Sequence, residues 1–251
     1  MITNNEIKLL KSLSQKKYRY QHKLFLVEGL RLIEELINSN HKIIKIWTSD
    51  SFLDENPSMK KSITSIECNI IDEKYFSQIL TTQNPQCIMA LLPINEPINL
   101  SKLSDNNILI LDGISDPGNM GSLLRSAVWY GIDSIILSKN CVDIYNPKVV
   151  RSAMGAHFYI SNLIHGDLVE ILHELKNDKY EIIGATLDGI DYKKIKVSNS
   201  SWALILGNEA HGISNELYDG IDQKISIPQR GPIESLNVAI AGSILLDRLI
   251  K

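Results

Sequence analysis

The chain has 251 residues, of which 44% are hydrophobic, and it carries 26 basic and 29 acidic side chains. This apolar share supplies a sizeable core, which excludes a disordered chain, and the length fits one large domain or two ordinary ones. Its three cysteines are far apart and lack a Cys-x-x-Cys spacing, which argues against a disulfide framework or a zinc site and favours a reducing compartment. No stretch approaches about 18 apolar residues and no apolar signal core begins the chain, so we expect a soluble cytoplasmic protein with neither a membrane partner nor a bound metal.

The first part of the chain alternates predicted helices and strands. Thr3 and Glu6 have the spacing of a capping box ahead of Ile7, so a helix should begin there. Apolar side chains at helical spacing predict a second helix over residues 28–38. Short apolar runs predict strands over residues 23–27, 42–48, 68–71 and 87–92. The sequence therefore predicts a small α/β domain over residues 1–92, and the prolines that follow it predict a linker over residues 93–106.

Basic and aromatic side chains are interleaved near the N-terminus. Lysines and an arginine alternate there with tyrosines and a histidine. Cations suit contacts to phosphate and aromatic rings suit stacking on bases, so this segment predicts RNA binding. The side chains expected to contact RNA are Lys16, Lys17, Arg19 and Lys23. A solvated amphipathic helix is the alternative for the same residues.

From residue 107 onwards a second α/β pattern begins. Continuous apolar runs, typical of strands buried on both faces of a parallel sheet, predict strands over residues 108–111, 135–137, 182–186, 203–206 and, more weakly, 225–227. Helical patterns lie between or after them, over residues 120–130, 147–154, 167–176 and 235–250. The sequence thus predicts a second domain over residues 107–251 with a mostly parallel sheet.

Three polar loops that contain glycine each follow a predicted strand of this second domain. They span residues 112–125, 207–212 and 227–237, at the carboxyl ends of strands, where open α/β sheets bind ligands. Each loop alone also fits ordinary turn chemistry, and Ser235 or Asn237 fits a helix cap, but the occurrence of all three favours a ligand site. The P-loop, the dinucleotide fingerprint, the nucleophile elbow and the His-Glu-x-x-His zinc motif are missing from the sequence.

The three loops carry motifs in a fixed order. Residues 116–127 read DPGNMGSLLRSA, residues 206–213 read LGNEAHGI, and residues 227–239 read IPQRGPIESLNVA. Together with RSAMGA at residues 151–156, these motifs resemble the SpoU/TrmH class of SPOUT RNA 2′-O-ribose methyltransferases. The FLVEG segment at residues 25–29 is similar to the ribosomal-protein-like substrate-binding domain often fused ahead of that fold.

The resemblance implies a fold, a cofactor and an assembly. The second domain would be a SPOUT domain with a deep trefoil knot, an arrangement otherwise nearly absent from proteins. It would bind S-adenosyl-L-methionine in the knotted loops and form a homodimer whose subunits share the active sites. The residues expected at the cofactor are Leu206, Gly207, Glu209, Gly212, Ile227 and Leu236. Those expected at the reacting ribose are Asn119, Arg125, Glu209, Ser235 and Asn237.

The implied reaction moves a methyl group from a sulfonium to a ribose 2′-hydroxyl, so positioning should dominate catalysis. Arg125 is often assigned as the base in this class, but a guanidinium keeps its proton in proteins. We therefore expect Arg125 to clamp an RNA phosphate and to stabilise the developing alkoxide. The fused N-terminal domain favours ribosomal RNA over transfer RNA as the substrate. The alternatives are a transfer RNA enzyme, a non-catalytic RNA-binding protein with a relict methyltransferase fold, and a nucleotide-dependent enzyme on a doubly wound sheet.

Overall fold

The computed structural model describes residues 2–39, 41–96, 98–100, 103, 106–198 and 201–250. Contacts between residues divide the chain into two compact units. Unit 1 comprises Met1–Asn95 and Asp143–Tyr159, and unit 2 comprises Glu96–Val142 and Ile160–Lys251. Within the described residues, no helix is both long enough and apolar enough to cross a membrane. Parts of the predicted linker, at positions 97, 101, 102, 104 and 105, lie outside the described residues.

Unit 1 is built on a four-stranded mixed sheet with the order β1-β4-β2-β3. The strands are β1 Leu24–Glu28, β2 Lys45–Thr48, β3 Cys68–Ile70 and β4 Ile88–Pro93. The helices, numbered in chain order, are α1 Asn4–Ser12, α2 Lys16–His22, α3 Leu30–Asn38, α4 Asp50–Glu55, α5 Pro57–Ser62, α6 Lys74–Ile79 and α8 Pro147–Ala153. β4 pairs antiparallel with β1 and β2, whereas β2 and β3 are parallel. Trp47 and Met89 of this sheet pack with Leu10 and Phe76 in one buried cluster.

The N-terminal elements form where local chemistry favours them. The Thr3 hydroxyl accepts a hydrogen bond from the Glu6 N–H at 3.2 Å, and the Glu6 carboxylate accepts one from the Thr3 N–H at 2.9 Å, which confirms the predicted capping box. The basic and aromatic segment forms α2, which ends at Lys23 in the left-handed conformation. The helix predicted over residues 28–38 begins at Leu30, because Gly29 has a φ of 98° that a helix cannot include.

The stretch of residues 143–159 packs within unit 1, although the sequence pattern placed it in the second domain. Asp143 is buried and accepts a hydrogen bond from the Arg19 Nε at 3.1 Å. Arg151 on α8 donates a hydrogen bond to Glu28 at the end of β1, at 2.7 Å. These partners are more than 120 positions apart in the chain, so a local pattern carries no sign of them.

Unit 2 is built on a six-stranded sheet with the order β10-β8-β9-β5-β6-β7. Its strands are β5 Ile108–Leu111, β6 Ser134–Ser138, β7 Asn162–Gly166, β8 Glu181–Asp191, β9 Trp202–Leu206 and β10 Gln223–Ser226. Its helices are α7 Pro117–Trp129, α9 Leu168–Asn177 and α10 Val238–Leu249, with short 3-10 helices at Tyr192–Lys194 and Asn215–Gly220. The strand pairs of this sheet are all parallel, which confirms the predicted parallel character.

Three differences from the expected elements of unit 2 have physical causes. β7 lies at an edge of the sheet and buries only part of its length, so its apolar run is too short to predict a strand. β8 continues past residue 186 to Asp191 because β10 pairs with its far end across an irregular segment. α7 begins at Pro117 instead of residue 120 because Asp116 caps the helix there.

Candidate active site

The first of the three loops joins β5 to α7. Asp116 is the N-cap of α7, and its carboxylate accepts a hydrogen bond from the Asn119 backbone N–H at 2.8 Å. Pro117 occupies the first helical position, where a backbone N–H would have no partner in the helix. Asn119 therefore lies inside the first turn of α7, and the cap of that helix is Asp116. Its side chain is left available for contacts outside the helix.

The second loop turns back on itself directly after β9. Asn208 and Gly212 exchange two backbone hydrogen bonds of 2.9 Å, and the Asn208 side-chain oxygen accepts two further N–H groups within the loop. A Cβ atom on Gly207 would lie 2.2 Å from the Gly212 carbonyl carbon, and Gly212 has a φ of +72°. Both positions therefore require glycine for the loop to close in this way.

Asp112 and Asn208 fasten the first loop to the second. Asp112 follows β5 and is 6% exposed. Its N–H donates to the Leu206 carbonyl at 2.9 Å, and its carboxylate accepts a hydrogen bond from the Ser214 N–H at 2.8 Å. The Asn208 side chain donates to the Gly113 carbonyl at 2.7 Å. Neither residue was predicted for the site, although a polar residue close behind a fully apolar strand is a signal that could have indicated both.

A chain of side-chain hydrogen bonds connects all three loops. Asn237 donates from Nδ2 to Asn119 Oδ1 at 2.8 Å, and Asn119 donates from Nδ2 to Glu209 Oε1 at 2.8 Å. We call these three residues the amide chain. Of the five residues predicted at the ribose, the structure therefore brings three together, one from each motif.

The helix cap of α10 sets the direction of both hydrogen bonds in the amide chain. Asn237 is the N-cap of α10, and its Oδ1 accepts hydrogen bonds from the N–H groups of Ala239 at 2.9 Å and Ile240 at 3.3 Å. Because that oxygen is used by the helix, only Nδ2 of Asn237 can face Asn119. Asn119 must then present its oxygen to Asn237 and its Nδ2 to Glu209. A carboxylate only accepts hydrogen bonds, so every donor in the chain meets an acceptor.

Arg125 and Ser235 do not join the amide chain. Both are exposed, and neither side chain forms an ion pair or a hydrogen bond in the described part of the chain. Arg125 lies six residues after Asn119 on α7, which puts it about 120° away around the helix axis. It shares its helix face with Trp129, four residues further on, whose side chain is 83% exposed.

The residues predicted at the cofactor lie at the carboxyl edge of the sheet and differ in exposure. Leu206 and Gly207 are buried at the end of β9. Gly212 is exposed, and a Cβ atom there would meet nothing within 4 Å. Ile227 is half-buried, and Leu236 is 51% exposed. Leu187, in the irregular segment of β8, is 83% exposed and was not predicted for the site, because it lies just beyond the strand predicted over residues 182–186.

The residues predicted to bind RNA lie in unit 1. Lys16, Lys17 and Lys23 are exposed. Arg19 is 2% exposed, its Nε and Nη2 donate hydrogen bonds to Asp143, and its Nη1 donates to two backbone carbonyls at 2.8 and 2.9 Å. The prediction that Arg19 contacts RNA is wrong, because its guanidinium is fully engaged with partners inside the protein.

Comparison with known proteins identifies the family. The model of the SpoU rRNA Methylase family matches residues 106–247, which is more than half of the chain. The chain belongs to the SpoU rRNA methylase family. A model of the MRM3-like substrate binding domain matches residues 4–90 of this SpoU-family chain.

Relatives of the SpoU-family chain match it over nearly its whole length. It is 35% identical over 248 residues to the 23S rRNA (guanosine(2553)-2′-O)-methyltransferase RlmP of Bacillus subtilis (strain 168), covering 98% of this chain and 96% of that protein. A solved structure described as an RNA methyltransferase of the TrmH family from Porphyromonas gingivalis is 31% identical, with a TM-score of 0.87 over 99% of this chain and 98% of that one. An AdoMet-bound rRNA methyltransferase from Sinorhizobium meliloti is 28% identical, with a TM-score of 0.82 over 99% and 95% of the two chains. The predicted family is confirmed, and with it the enzyme class, an RNA methyltransferase.

Proposed function

We propose that this chain transfers a methyl group from S-adenosyl-L-methionine to a ribose 2′-hydroxyl of ribosomal RNA. The observation that carries the proposal is the amide chain, in which one residue from each motif meets at the carboxyl edge of a parallel sheet. The Bacillus subtilis relative is named for 2′-O-methylation of 23S rRNA, and the Sinorhizobium meliloti relative holds AdoMet. These two relatives support the substrate class and the cofactor.

The surroundings of the loops fit a cofactor that contains a nucleoside. Large apolar side chains that stay exposed mark binding surfaces, and Leu187 and Leu236 are such side chains in unit 2. The open space at Gly212 gives access to the backbone of the second loop. We assign the cofactor to Leu206, Gly207, Glu209, Gly212, Ile227 and Leu236, with Leu187 as a further apolar contact. When bound, S-adenosyl-L-methionine supplies a methyl group on a positively charged sulfur.

We assign the ribose to the amide chain and Ser235. Asn119 and Asn237 hold the Glu209 carboxylate in one orientation through Oε1, so that Oε2 is available to accept a hydrogen bond from a ribose hydroxyl. Ser235, two residues before the α10 cap, offers a further hydroxyl. The reaction requires no covalent bond between protein and substrate, so these residues contribute by fixing the position of the attacking oxygen.

We propose a homodimer in which Arg125 serves the active site of the partner subunit. On its own α7 Arg125 points about 120° away from Asn119, and it has no ion pair among the described residues. α7 packs on α10, and these helices expose Trp129 and Ile240, at 83% and 54%. Burying such side chains between subunits stabilises association. Arg125 would then clamp an RNA phosphate and stabilise the developing alkoxide across the interface.

We also propose that the deep trefoil knot is present in unit 2. β10 lies at the outer edge of the sheet, beyond β8 and β9, whereas α10 packs on α7, which follows β5. The third loop, residues 227–237, must therefore cross the ends of β8 and β9, and this crossing is where a knotted chain would pass through. We retain residues 1–92, 93–106 and 107–251 as the RNA-binding domain, linker and methyltransferase domain along the sequence, with residues 143–159 packed in unit 1. Because ribosomal RNA is the proposed substrate, we place the enzyme in the cytoplasm.

We assign RNA capture to unit 1. Unit 1 carries 14 basic and 11 acidic side chains, whereas unit 2 carries 12 basic and 18 acidic ones. The positive excess therefore lies in unit 1, as contacts to phosphate require. Lys16, Lys17 and Lys23 are exposed there, and the Lys16 ammonium lies 5.9 Å from the centre of the Tyr20 ring.

The decisive experiment offers the purified protein S-adenosyl-L-methionine with a labelled methyl group, together with ribosomal RNA, transfer RNA or assembled ribosomal particles. We expect label in ribosomal RNA at a position that resists alkaline cleavage, because a 2′-O-methyl group removes the hydroxyl that attacks the neighbouring phosphate. An Asn119→Ala variant should lose the label. Label in transfer RNA alone would establish the transfer RNA enzyme. No label in any pool, with no cofactor binding, would establish the relict RNA-binding protein.

A mixing experiment tests the shared active site. Asn119→Ala and Arg125→Ala subunits should each be inactive as homodimers. If Arg125 acts across the interface, every mixed dimer holds one intact site, so a fully exchanged equal mixture should recover about a quarter of wild-type activity on statistical grounds. If both residues act within one subunit, the mixture stays inactive and the proposed assembly is refuted.

A further inference from the structure

The 3-10 helix Tyr192–Lys194 presents a group of lysines on unit 2. It follows β8 directly, and Lys193, Lys194 and Lys196 are all exposed. We call these three residues the lysine turn. None of the three forms an ion pair with another residue in the described part of the chain; the Lys193 ammonium only lies 5.8 Å from the centre of the Tyr192 ring.

The backbone of the lysine turn is held firmly. Asp191 accepts a hydrogen bond from the Lys193 N–H at 3.0 Å. Arg248 at the end of α10 donates from Nη2 to the carbonyls of Lys193 at 3.3 Å and Ile195 at 3.2 Å. Ile195 anchors the turn with a side chain that is 3% exposed, and the Lys196 carbonyl accepts from Gln223 Nε2 at 2.9 Å. The charges are therefore displayed from a fixed base, which reduces the entropy lost when they bind an anion.

The charge of the lysine turn stands out against its surroundings. Unit 2 has six more acidic than basic side chains, 18 against 12. Other lysines of unit 2 do pair with acidic side chains: Lys224 pairs with Asp188 at 3.7 Å, and Lys176 pairs with Asp222 at 3.0 Å. Acidic residues could therefore have paired with the lysine turn if it bound no anion. Three lysines within four positions, without an ion pair among the described residues, instead form a local cationic surface on an acidic unit.

The lysine turn is connected to the candidate active site through β10 and α10. Asp191, the residue before it, pairs with Ser226 of β10, and Ser226 leads directly into the third loop. α10 begins at the Asn237 cap and runs to Leu249. Arg248, which holds the turn, is eleven residues beyond Asn237, a span of about 16 Å along the helix. At the roughly 3.4 Å per nucleotide of a B-form strand this span corresponds to about five nucleotides, so it covers several nucleotides of an RNA strand.

We infer that the lysine turn is a second RNA-binding surface, which contacts phosphates several nucleotides from the methylated ribose. This inference rests on the proposed function for the position of the ribose, but the binding itself is a property of unit 2. The turn would hold the flanking strand on the methyltransferase domain while unit 1 captures the RNA elsewhere. Its ligand is the sugar–phosphate backbone, because lysines contact phosphates as point charges and read no sequence.

Counterion release gives the size of the expected effect. Each lost phosphate contact lowers the slope of log K against log salt concentration by about 0.7 for single strands and about 0.9 for duplex. Removing the charges of Lys193 and Lys194 should therefore lower the slope by about 1.4 to 1.8. At 0.15 M salt this amounts to binding that is about 15- to 30-fold weaker.

The test compares two double variants of the full-length protein that remove equal charge. Lys193→Gln/Lys194→Gln alters the lysine turn. Lys176→Gln/Lys179→Gln alters the half-buried Lys176, which pairs with Asp222, and the exposed Lys179, both ahead of β8 at the opposite end of that strand. Filter binding to 23S ribosomal RNA is measured between 0.05 and 0.3 M salt, about the range over which such slopes are resolved. We expect the first variant to show the loss and the reduced slope, with a raised KM for RNA and unchanged kcat, and the control to behave as the wild type.

Three outcomes would overturn the inference. Equal RNA affinity and slope for wild type and the Lys193→Gln/Lys194→Gln variant would show that the lysines touch no phosphate. An equal loss in the control variant would show only a general effect of charge. Dissociation of a dimer in the turn variant, seen by sedimentation, would show that the lysines contact the other subunit. If the wild type binds ribosomal RNA through these lysines but methylates none, the proposed function fails while the binding surface stands.

Discussion

Replacing Asn237 with aspartate reverses one polar contact while leaving the helix cap in place. Aspartate caps a helix about as well as asparagine, and its charge suits a helix N-terminus, so the contacts to Ala239 and Ile240 should survive. The carboxylate cannot donate to Asn119, however, so the Asn119 amide must rotate to donate to it. Rotation turns the Asn119 oxygen towards Glu209 and removes the hydrogen bond that now measures 2.8 Å.

The structure sets the magnitude of this effect. The lost hydrogen bond to a charged but exposed acceptor is worth about 1 to 1.5 kcal/mol. The new carboxylate would lie about 8 Å from Glu209, because two hydrogen bonds of 2.8 Å and one amide group separate them. At that distance in a water-like surrounding the repulsion adds about 0.5 kcal/mol. The total of about 1.5 to 2 kcal/mol corresponds to roughly a 10- to 30-fold loss of the ordered site, which should appear in kcat/KM for methyl transfer.

Two companion variants separate the cap from the amide chain. Asn237→Ser keeps a capping oxygen and, without adding charge, removes the Nδ2 donor that reaches Asn119. Its activity should therefore fall less than that of Asn237→Asp, with little change in Tm. Asn237→Ala loses the cap as well, which costs about 1 kcal/mol and lowers Tm by about 2 to 4 °C. Wild-type kcat/KM in Asn237→Asp would refute the view that hydrogen-bond direction organises the site. A drop in Tm that parallels the loss of activity would show that the substitution acts only through helix stability.

Three further predictions concern other parts of the chain. Gly207→Ala should weaken AdoMet binding at least about tenfold by calorimetry, because its Cβ would lie 2.2 Å from backbone, whereas Gly231→Ala, with no atom within 4 Å, should bind as the wild type. Arg19→Lys should lower the free energy of unfolding by about 2 to 3 kcal/mol, because an ammonium cannot make the guanidinium's contacts to Asp143 and two carbonyls at once. Urea titration measures this change, and an unchanged unfolding midpoint would contradict the prediction. Burial lowers the pKa of His157 to about 4 from 6.5. As the pH falls, this histidine therefore binds a proton in the unfolded state before it does so in the folded state. The free energy of unfolding should decrease between pH 6.5 and 4, by up to about 3 kcal/mol. A His157→Gln protein with the same pH dependence would assign that loss to other groups.

The sequence was sufficient for several features that depend on neighbours along the chain. Thr3 and Glu6 are three positions apart, and their capping box forms as predicted. Residues 108–111 and 203–206 are continuous apolar runs, and both are completely buried strands of the parallel sheet. The order and residue types of the three loop motifs were enough to predict the family, because such motifs can be recognised without any coordinates.

The tertiary structure alone decided which distant partners the polar side chains have. Arg19 belongs to a basic and aromatic segment typical of RNA binding, yet it is buried because Asp143, 124 positions later, lies against it. Residues 143–159 lie in the second half of the chain but pack in unit 1 for the same reason. From the sequence, Asn237 fits both a helix cap and a site residue. It has both roles, because it caps α10 and also donates a hydrogen bond to Asn119, 118 positions earlier. Packing between distant segments determines which partner such a side chain has. The periodicity and spacing of residues along one sequence do not predict that partner.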